Sequence, residues 1–301
     1  MMPGLPVIEA ELYGRLPEAL HWRGEPNDWV RMTRPGMRLH SFLEGPCLDD
    51  DGALWLVDVP YGRIFKVDKS GDWTLAHQYE GEPHSIKSLG PRGYMLVDYK
   101  LGLLSFASDG PRVEVVADNC DDVAFLGLSD LTVLPSGDLW FTDSGRTSLS
   151  DPSGRVFHRS AAGQIRLVLD TVPYPNGIAA SADGAFIYVA ATRSNQILRL
   201  SATLPPSGRP MSGTFIQLSG GLGPDGLAVS TTGLLAIAQA QAGRAYLASA
   251  VGDLVAQIRL PEGRWTTSVV FGRGGDAGTL YIVEAQTASI YRADISSFQE
   301  S

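Results

Sequence analysis

Hydrophobic residues in this chain fall in short runs rich in Val, Ile, Leu, Trp, Tyr and Phe, separated by glycine and proline. Runs of that length and composition predict strands. Helical periodicity is confined to "IEAELYGRLPEALHW" near the N-terminus, where Pro17 interrupts it. A repeat organises the rest. Six turn glycines each lead into a strand of related form: "DGALWLVD" at Gly52, "RGYMLVD" at Gly93, "SGDLWFTD" at Gly137, "DGAFIYVA" at Gly184, "TGLLAIA" at Gly233 and "AGTLYIVE" at Gly278. Their spacings of 41, 44, 47, 49 and 45 residues suit four strands and their turns, one propeller blade. The pattern therefore predicts an all-β fold, a six-bladed β-propeller of four-stranded antiparallel blades around a central channel. It spans residues 37–296 as a single domain, after an irregular lead-in at 1–36. Because a ring of blades must leave no bare sheet edge, the outer strand of the last blade is expected from residues before Glu44, with "MRLHSF" as the candidate.

Composition narrows the function. The 24 Lys and Arg against 33 Asp and Glu give a formal charge of −9, which argues against nucleic acid or an anionic membrane as partner. No run approaches the roughly 18 apolar residues of a membrane span, and the start of the chain lacks a signal-peptide pattern. A cytoplasmic protein, monomeric or a small homo-oligomer, is expected. Cys47 and Cys120 read as free thiols.

Counting eight residues back from the turn glycines gives Glu44, Ser85, Ser129, Asn176 and Asp225 in the first five units. In a propeller the first strand of each blade lines the channel, so these distant positions converge. Two carboxylates, one carboxamide and hydroxyls at a channel mouth repel one another and resist desolvation, and a divalent cation would relieve both costs. Oxygen-only donors suit calcium first, with magnesium, manganese, zinc or iron(II) also open. The competing reading is that Asn176-Gly177 and Asp225-Gly226 are only hairpin corners; Glu44-Gly45-Pro46 is not a favoured turn yet shares their register. Asp51-Gly52 and Asp183-Gly184 read as turns. Asp58, Asp98 and Asp143, each ending a second strand, read as repeated hydrogen-bonding groups.

These motifs, "EGP" at Glu44, "SDLTVLPSGDLWFTD" from Ser129, "PNGIAASADG" from Pro175, "GPDGLAV" from Gly223 and "TTSVVFGRGG" from Thr266, resemble in order and spacing the regucalcin (senescence marker protein)/gluconolactonase family of six-bladed propeller lactonases. The resemblance implies one divalent ion held by Glu44, Asn176 and Asp225, and hydrolysis of a sugar-acid lactone such as gluconolactone or xylonolactone. Asp225 is the choice for the group that positions or deprotonates the attacking water. The third-blade motif usually begins Asn-Asp-Gly in that family; here it reads Ser129-Asp130-Leu131, so Ser129 through water or Asp130 directly would take the substrate-side role. His84 is a candidate substrate contact or proton donor, and a structural histidine is the alternative. Tyr99, Trp140 and Arg146 are candidates for the entrance. A phosphotriester or aryl-ester hydrolase on the same site, and a non-catalytic metal-binding scaffold, remain the competing functions.

Overall fold

The computed structural model describes residues 4–107, 110 and 112–299. Six antiparallel sheets follow one another along the chain, and each pairs its strands in chain order from the inside outward. Blade 1 is built from Leu43–Leu48, Leu54–Asp58, Arg63–Val67 and Trp73–Gln78, and blade 2 from Pro83–Ser88, Tyr94–Asp98, Gly102–Phe106 and Glu114–Ala117. Blade 3 comprises Leu128–Val133, Leu139–Asp143, Gly154–Arg159 and Ile165–Val172; blade 4 comprises Pro175–Ala180, Phe186–Ala191, Gln196–Ser201 and Ser212–Gln217. Gly223–Val229, Leu235–Ala240, Arg244–Ala248 and Leu254–Arg259 form blade 5, and Thr266–Phe271, Thr279–Glu284 and Ser289–Asp294 form the inner three strands of blade 6. Each inner strand touches those of the blades on either side, and the sixth touches the first, so the ring is closed. The protein is a six-bladed β-propeller.

The N-terminal segment closes it. Glu11–Arg15 is the outermost strand of blade 6, antiparallel to Ser289–Asp294, while Val7–Glu9 adds a fifth, parallel strand to blade 5. The closing strand does come from before Glu44, but it is not "MRLHSF". Carbonyls of that stretch are taken by side chains and by a loop: Arg63 Nη2 donates to His40 O at 2.9 Å, the Tyr61 hydroxyl to Leu39 O, and Trp22 N to the same His40 O at 3.0 Å. The first half of the stretch with apparent helical period is thus strand, a single 3-10 turn follows at Glu18–Leu20, and Pro17 lies just beyond the end of Glu11–Arg15. Residues 1–3 of the expected lead-in lie outside the described residues. The one α-helix among the described residues is Asp28–Thr33, where Asn27 Oδ1 accepts from Val30 N at 3.1 Å as an N-cap. Trp29 and Val30 bury against Phe42, Val59, Tyr61 and Ala285. That packing pins the helix over one end of the channel.

The core lies between blades, because each sheet presents an apolar face to its neighbour. Leu43, Leu56 and Phe65 of blade 1 pack on Val283 and Ile290 of blade 6, and Val57, Ile64 and Cys47 pack on Ile86, Leu96 and Leu104 of blade 2. At about 1.5–3 kcal/mol for each large apolar side chain buried, these seams are the main source of stability. Both cysteines are buried and free. Among the described residues, no helix is long and apolar enough to cross a membrane.

Candidate functional site

A repeated irregularity in the inner strands builds the site. Leu43 pairs with Asp58, Pro83 with Asp98, Leu128 with Asp143, Pro175 with Ala191, Pro224 with Gln239 and Thr266 with Glu284; in all six blades one extra residue then enters the inner strand before pairing resumes. A bulge bends its strand and re-aims a side chain. The residues that follow these pairs are Glu44, His84, Ser129, Asn176, Asp225 and Thr267. The first five line one cavity of about 710 Å³, within the usual size of a small-molecule site. Thr267 does not join them; its hydroxyl donates to Leu43 O at 2.9 Å and ties blade 6 to blade 1.

Asn176-Gly177 and Asp225-Gly226 lie inside inner strands and are not hairpin corners. Their glycines are set by the next blade. A Cβ on Gly177 would stand 2.1 Å from the backbone oxygen of Asp225, and one on Gly226 would stand 2.2 Å from Ser268 Oγ. Asp51-Gly52 and Asp183-Gly184, by contrast, do sit in turns closed by Gly52 N to Asp49 O and Gly184 N to Ser181 O.

The electrostatics are those of crowded acids. Burial holds the Asp225 carboxyl well above the usual carboxylate range; the charges of Glu44 and Asp130 push the same way, and a hydrogen bond from the Asn176 side chain opposes them. His84 Nδ1 lies 3.0 Å from Glu44 Oε2, and since a carboxylate can only accept, the imidazole donates. Burial disfavours the imidazolium, but Glu44, with Asp98 and Glu82 behind it, outweighs burial and raises the His84 pKa. Its Nε2 is buried with no partner.

Ser129 and Asp130 part company. The Ser129 hydroxyl lines the cavity and shares a hydrogen bond of 2.5 Å with Ser144 Oγ. Asp130 is not among the cavity's lining residues: its carboxylate accepts from Leu131 N at 2.8 Å and Ile178 N at 3.0 Å, and Lys87 Nζ lies 3.6 Å away. Those partners make Asp130 a link from blade 3 to blades 2 and 4.

The three aspartates that end second strands are all fully buried. Asp58 accepts from Ser41 Oγ, Phe42 N and Arg63 Nε; Asp98 from Tyr79 OH, Glu82 N and Lys100 N; Asp143 from Leu126 N, Gly127 N and Arg155 Nε. Each fastens the backbone that leads into the inner strand of its own blade.

Other cavity residues come from outside the aligned register. Tyr99 and Arg146 line it, whereas Trp140 is fully buried between blades 3 and 4. Tyr174 also lines it, with φ 61°, a left-handed conformation that a bulky residue seldom adopts. The strain is held by Tyr174 N donating to Thr147 Oγ1 at 3.1 Å and by Thr192 N donating to Tyr174 O at 3.1 Å. Burial, then Glu44 and Asp225, push its phenol up to about 12. Arg34 follows the lead-in helix and lies over Trp265, its guanidinium carbon 3.5 Å from the ring centroid. The sequence signals for these two were slight: a residue before proline at Tyr174 and a capped "NDWVRMT" before Arg34.

Among the described residues no group of three His, Cys, Asp or Glu is placed to hold a metal ion. The convergent set is instead two carboxylates and a carboxamide, with a serine hydroxyl beside them, oxygen donors only. Asp225, raised first by burial and then by Glu44 and Asp130, marks negative charge that lacks compensation. Such donors fit a hard divalent cation.

A channel mouth lined by one polar side chain from each of five blades defines a class of propeller with a single axial site. Residues 42–286 match the SMP-30/Gluconolactonase/LRE-like region, and the chain belongs to that family. Among curated relatives it is 28% identical over 239 residues to a 6-deoxy-6-sulfogluconolactonase of Pseudomonas putida, covering 77% of this chain and 79% of that one. It is 25% identical over 247 residues to Lactonase drp35 of Staphylococcus epidermidis, covering 77% and 73%. In fold it resembles a calcium-binding protein, regucalcin, from Agrobacterium tumefaciens, with a TM-score of 0.75 at 20% identity over 96% of this chain and 95% of that one. A gluconolactonase from Xanthomonas campestris gives a TM-score of 0.73 at 18% identity, over 84% and 86%.

Proposed function

We propose that the protein is a divalent-cation-dependent lactonase that opens a sugar-acid lactone at the channel mouth. The observation that carries this reading is the meeting of Glu44, Asn176 and Asp225, from blades 1, 4 and 5, in one cavity where Asp225 is held protonated more strongly than an ordinary carboxyl. Membership of the family and the two curated relatives named as lactonases support it. Glu44, Asn176 and Asp225 would hold the cation, with calcium the leading candidate. When bound, such an ion supplies Lewis acidity and charge neutralisation at the carbonyl.

The chain's own groups supply the rest. Asp225 takes the proton of the attacking water as general base. Asn176, hydrogen-bonded to Asp225, orients it. His84, its Nδ1 committed to Glu44, offers Nε2 as donor to the alkoxide that leaves when the ring opens. The Ser129 hydroxyl and the Tyr174 phenol supply hydrogen bonds to substrate oxygens. Trp29, Phe42 and Trp265 wall the cavity and limit the entry of water. The buried free thiols of Cys47 and Cys120 accord with a reducing compartment, and we place the protein in the cytoplasm.

A panel of gluconolactone, xylonolactone, dihydrocoumarin and a phosphotriester, each with and without chelator, tests the assignment. Chelator-sensitive turnover of a sugar lactone above the other two classes is expected. Preference for the phosphotriester would move the site to phosphoryl chemistry, and no turnover at all would leave a binding scaffold. Asp225→Asn is expected to abolish lactone hydrolysis with the fold intact, and wild-type rates in that variant would remove Asp225 from its role.

A further inference from the structure

Arginine is distributed unevenly between partners in this acidic chain of formal charge −9. Around the cavity stand Arg34, Arg146 and Arg193. Among the described residues none of the three has a carboxylate oxygen within 4.0 Å of its guanidinium, although Arg63 and Arg155, elsewhere in the blades, are closely ion-paired. Lys100, also at the cavity, is already neutralised by Glu82 at 2.8 Å.

Arg34 is the best placed of the three. Its guanidinium is stacked on Trp265 at 3.5 Å and lies 5.1 Å from the Phe42 ring, which fixes the plane of the fork. Nη1 donates to Thr33 O at 3.1 Å. Nη2 is withdrawn from solvent with no acceptor. Glu44, the carboxylate whose charge acts on it, is bound to His84 and lies beyond ion-pair distance. A buried charged donor left without an acceptor is costly, and a ligand that supplies the acceptor recovers that cost. A rigid guanidinium fork matches a carboxylate in two parallel hydrogen bonds. The cavity, at about 710 Å³, has room for a sugar ring and a charged substituent besides.

Resting on the lactonase reading, we propose that the preferred substrate is a lactone with a second, anionic group remote from the ring carbonyl, such as the carboxylate of an aldarolactone, and that Arg34 selects it. Arg146 and Arg193 add positive potential at the entrance. Arg34 is a specificity residue and takes no part in the hydrolytic step.

The test compares D-glucaro-1,4-lactone with D-glucono-1,4-lactone, which share a ring and differ at C6 by carboxylate against hydroxymethyl. Arg34→Met keeps an unbranched stem on Trp265, and Arg34→Lys keeps the charge without the fork. The ratio of kcat/KM for the charged over the neutral lactone is expected to fall at least about tenfold in Arg34→Met, through KM, with Arg34→Lys between it and wild type. A ratio within about twofold of wild type in folded Arg34→Met would overturn the proposal. Calorimetric titration with D-glucuronate and D-glucose gives a readout independent of turnover. If wild type opens neither lactone, the lactonase reading fails while Arg34 is still decided: D-glucuronate bound at least about tenfold more weakly by Arg34→Met sustains its role. Equal binding by the two proteins, or none by wild type, removes that role.

Discussion

His84 of blade 2 donates through Nδ1 to Glu44 of blade 1 across 3.0 Å. The bond joins two inner strands at the channel mouth and leaves Nε2 as the ring's one uncommitted nitrogen. If that nitrogen protonates the leaving alkoxide, its importance depends on how basic the leaving group is. His84→Ala is expected to lower kcat for gluconolactone by about 10²-fold, and to lower kcat for dihydrocoumarin, which releases a phenoxide, by much less. Steady-state kinetics on the two substrates checks this, and equal losses would assign His84 to positioning Glu44.

Gly177 faces the backbone oxygen of Asp225 so closely that a methyl group has no room. Gly177→Ala is expected to cost about 1–3 kcal/mol of stability and to push blade 5 away from blade 4. Chemical denaturation measures the first effect. A loss of lactonase activity greater than the loss of folded protein would register the second, since it displaces Asp225 from Asn176.

Asp58 fastens Ser41, Phe42 and Arg63 from a site with no solvent exposure. Asp58→Ala leaves the buried Arg63 guanidinium without its counter-charge and is expected to destabilise the fold by about 3–5 kcal/mol. The midpoint of unfolding in guanidinium chloride reads it directly. A change below about 1 kcal/mol would show that water or the carbonyls of Leu20 and His40, already bound to Arg63, suffice.

The blades were legible in the sequence because each repeats one turn glycine and one apolar strand, and any single repeat is checked by five others. Glu44, Asn176 and Asp225 were legible for the same reason: rotational repetition converts register into proximity. The resolution of that count was one residue. Eight back from Gly93 falls on Ser85, whereas the residue following the first strand pair of blade 2 is His84, since Gly93 stands five residues after Ser88, the last paired residue of its inner strand, while Gly52, Gly137, Gly184 and Gly233 stand four after Leu48, Val133, Ala180 and Val229. Side chains that enter the cavity from unrepeated segments had no such check. Arg34, Trp29 and Met32 come from the lead-in, whose only signals were a cap residue and a few apolar positions. Glu11–Arg15 was obscured because apolar spacing in "IEAELYGRLPEALHW" fits a helix, while the open edge of blade 6 offers backbone pairing that local propensity does not anticipate. Asp130 could be assigned to the inter-blade seam only once Ile178 N and Lys87 were seen beside it.

The most direct measurement is the divalent-ion dependence of gluconolactone hydrolysis by chelator-treated wild type and Glu44→Gln. Activity that vanishes on chelation, returns as one equivalent of ion is added, and requires at least about tenfold more ion in Glu44→Gln is the predicted result. Undiminished hydrolysis after complete removal of divalent ions would contradict the role given to the three oxygen donors at the mouth.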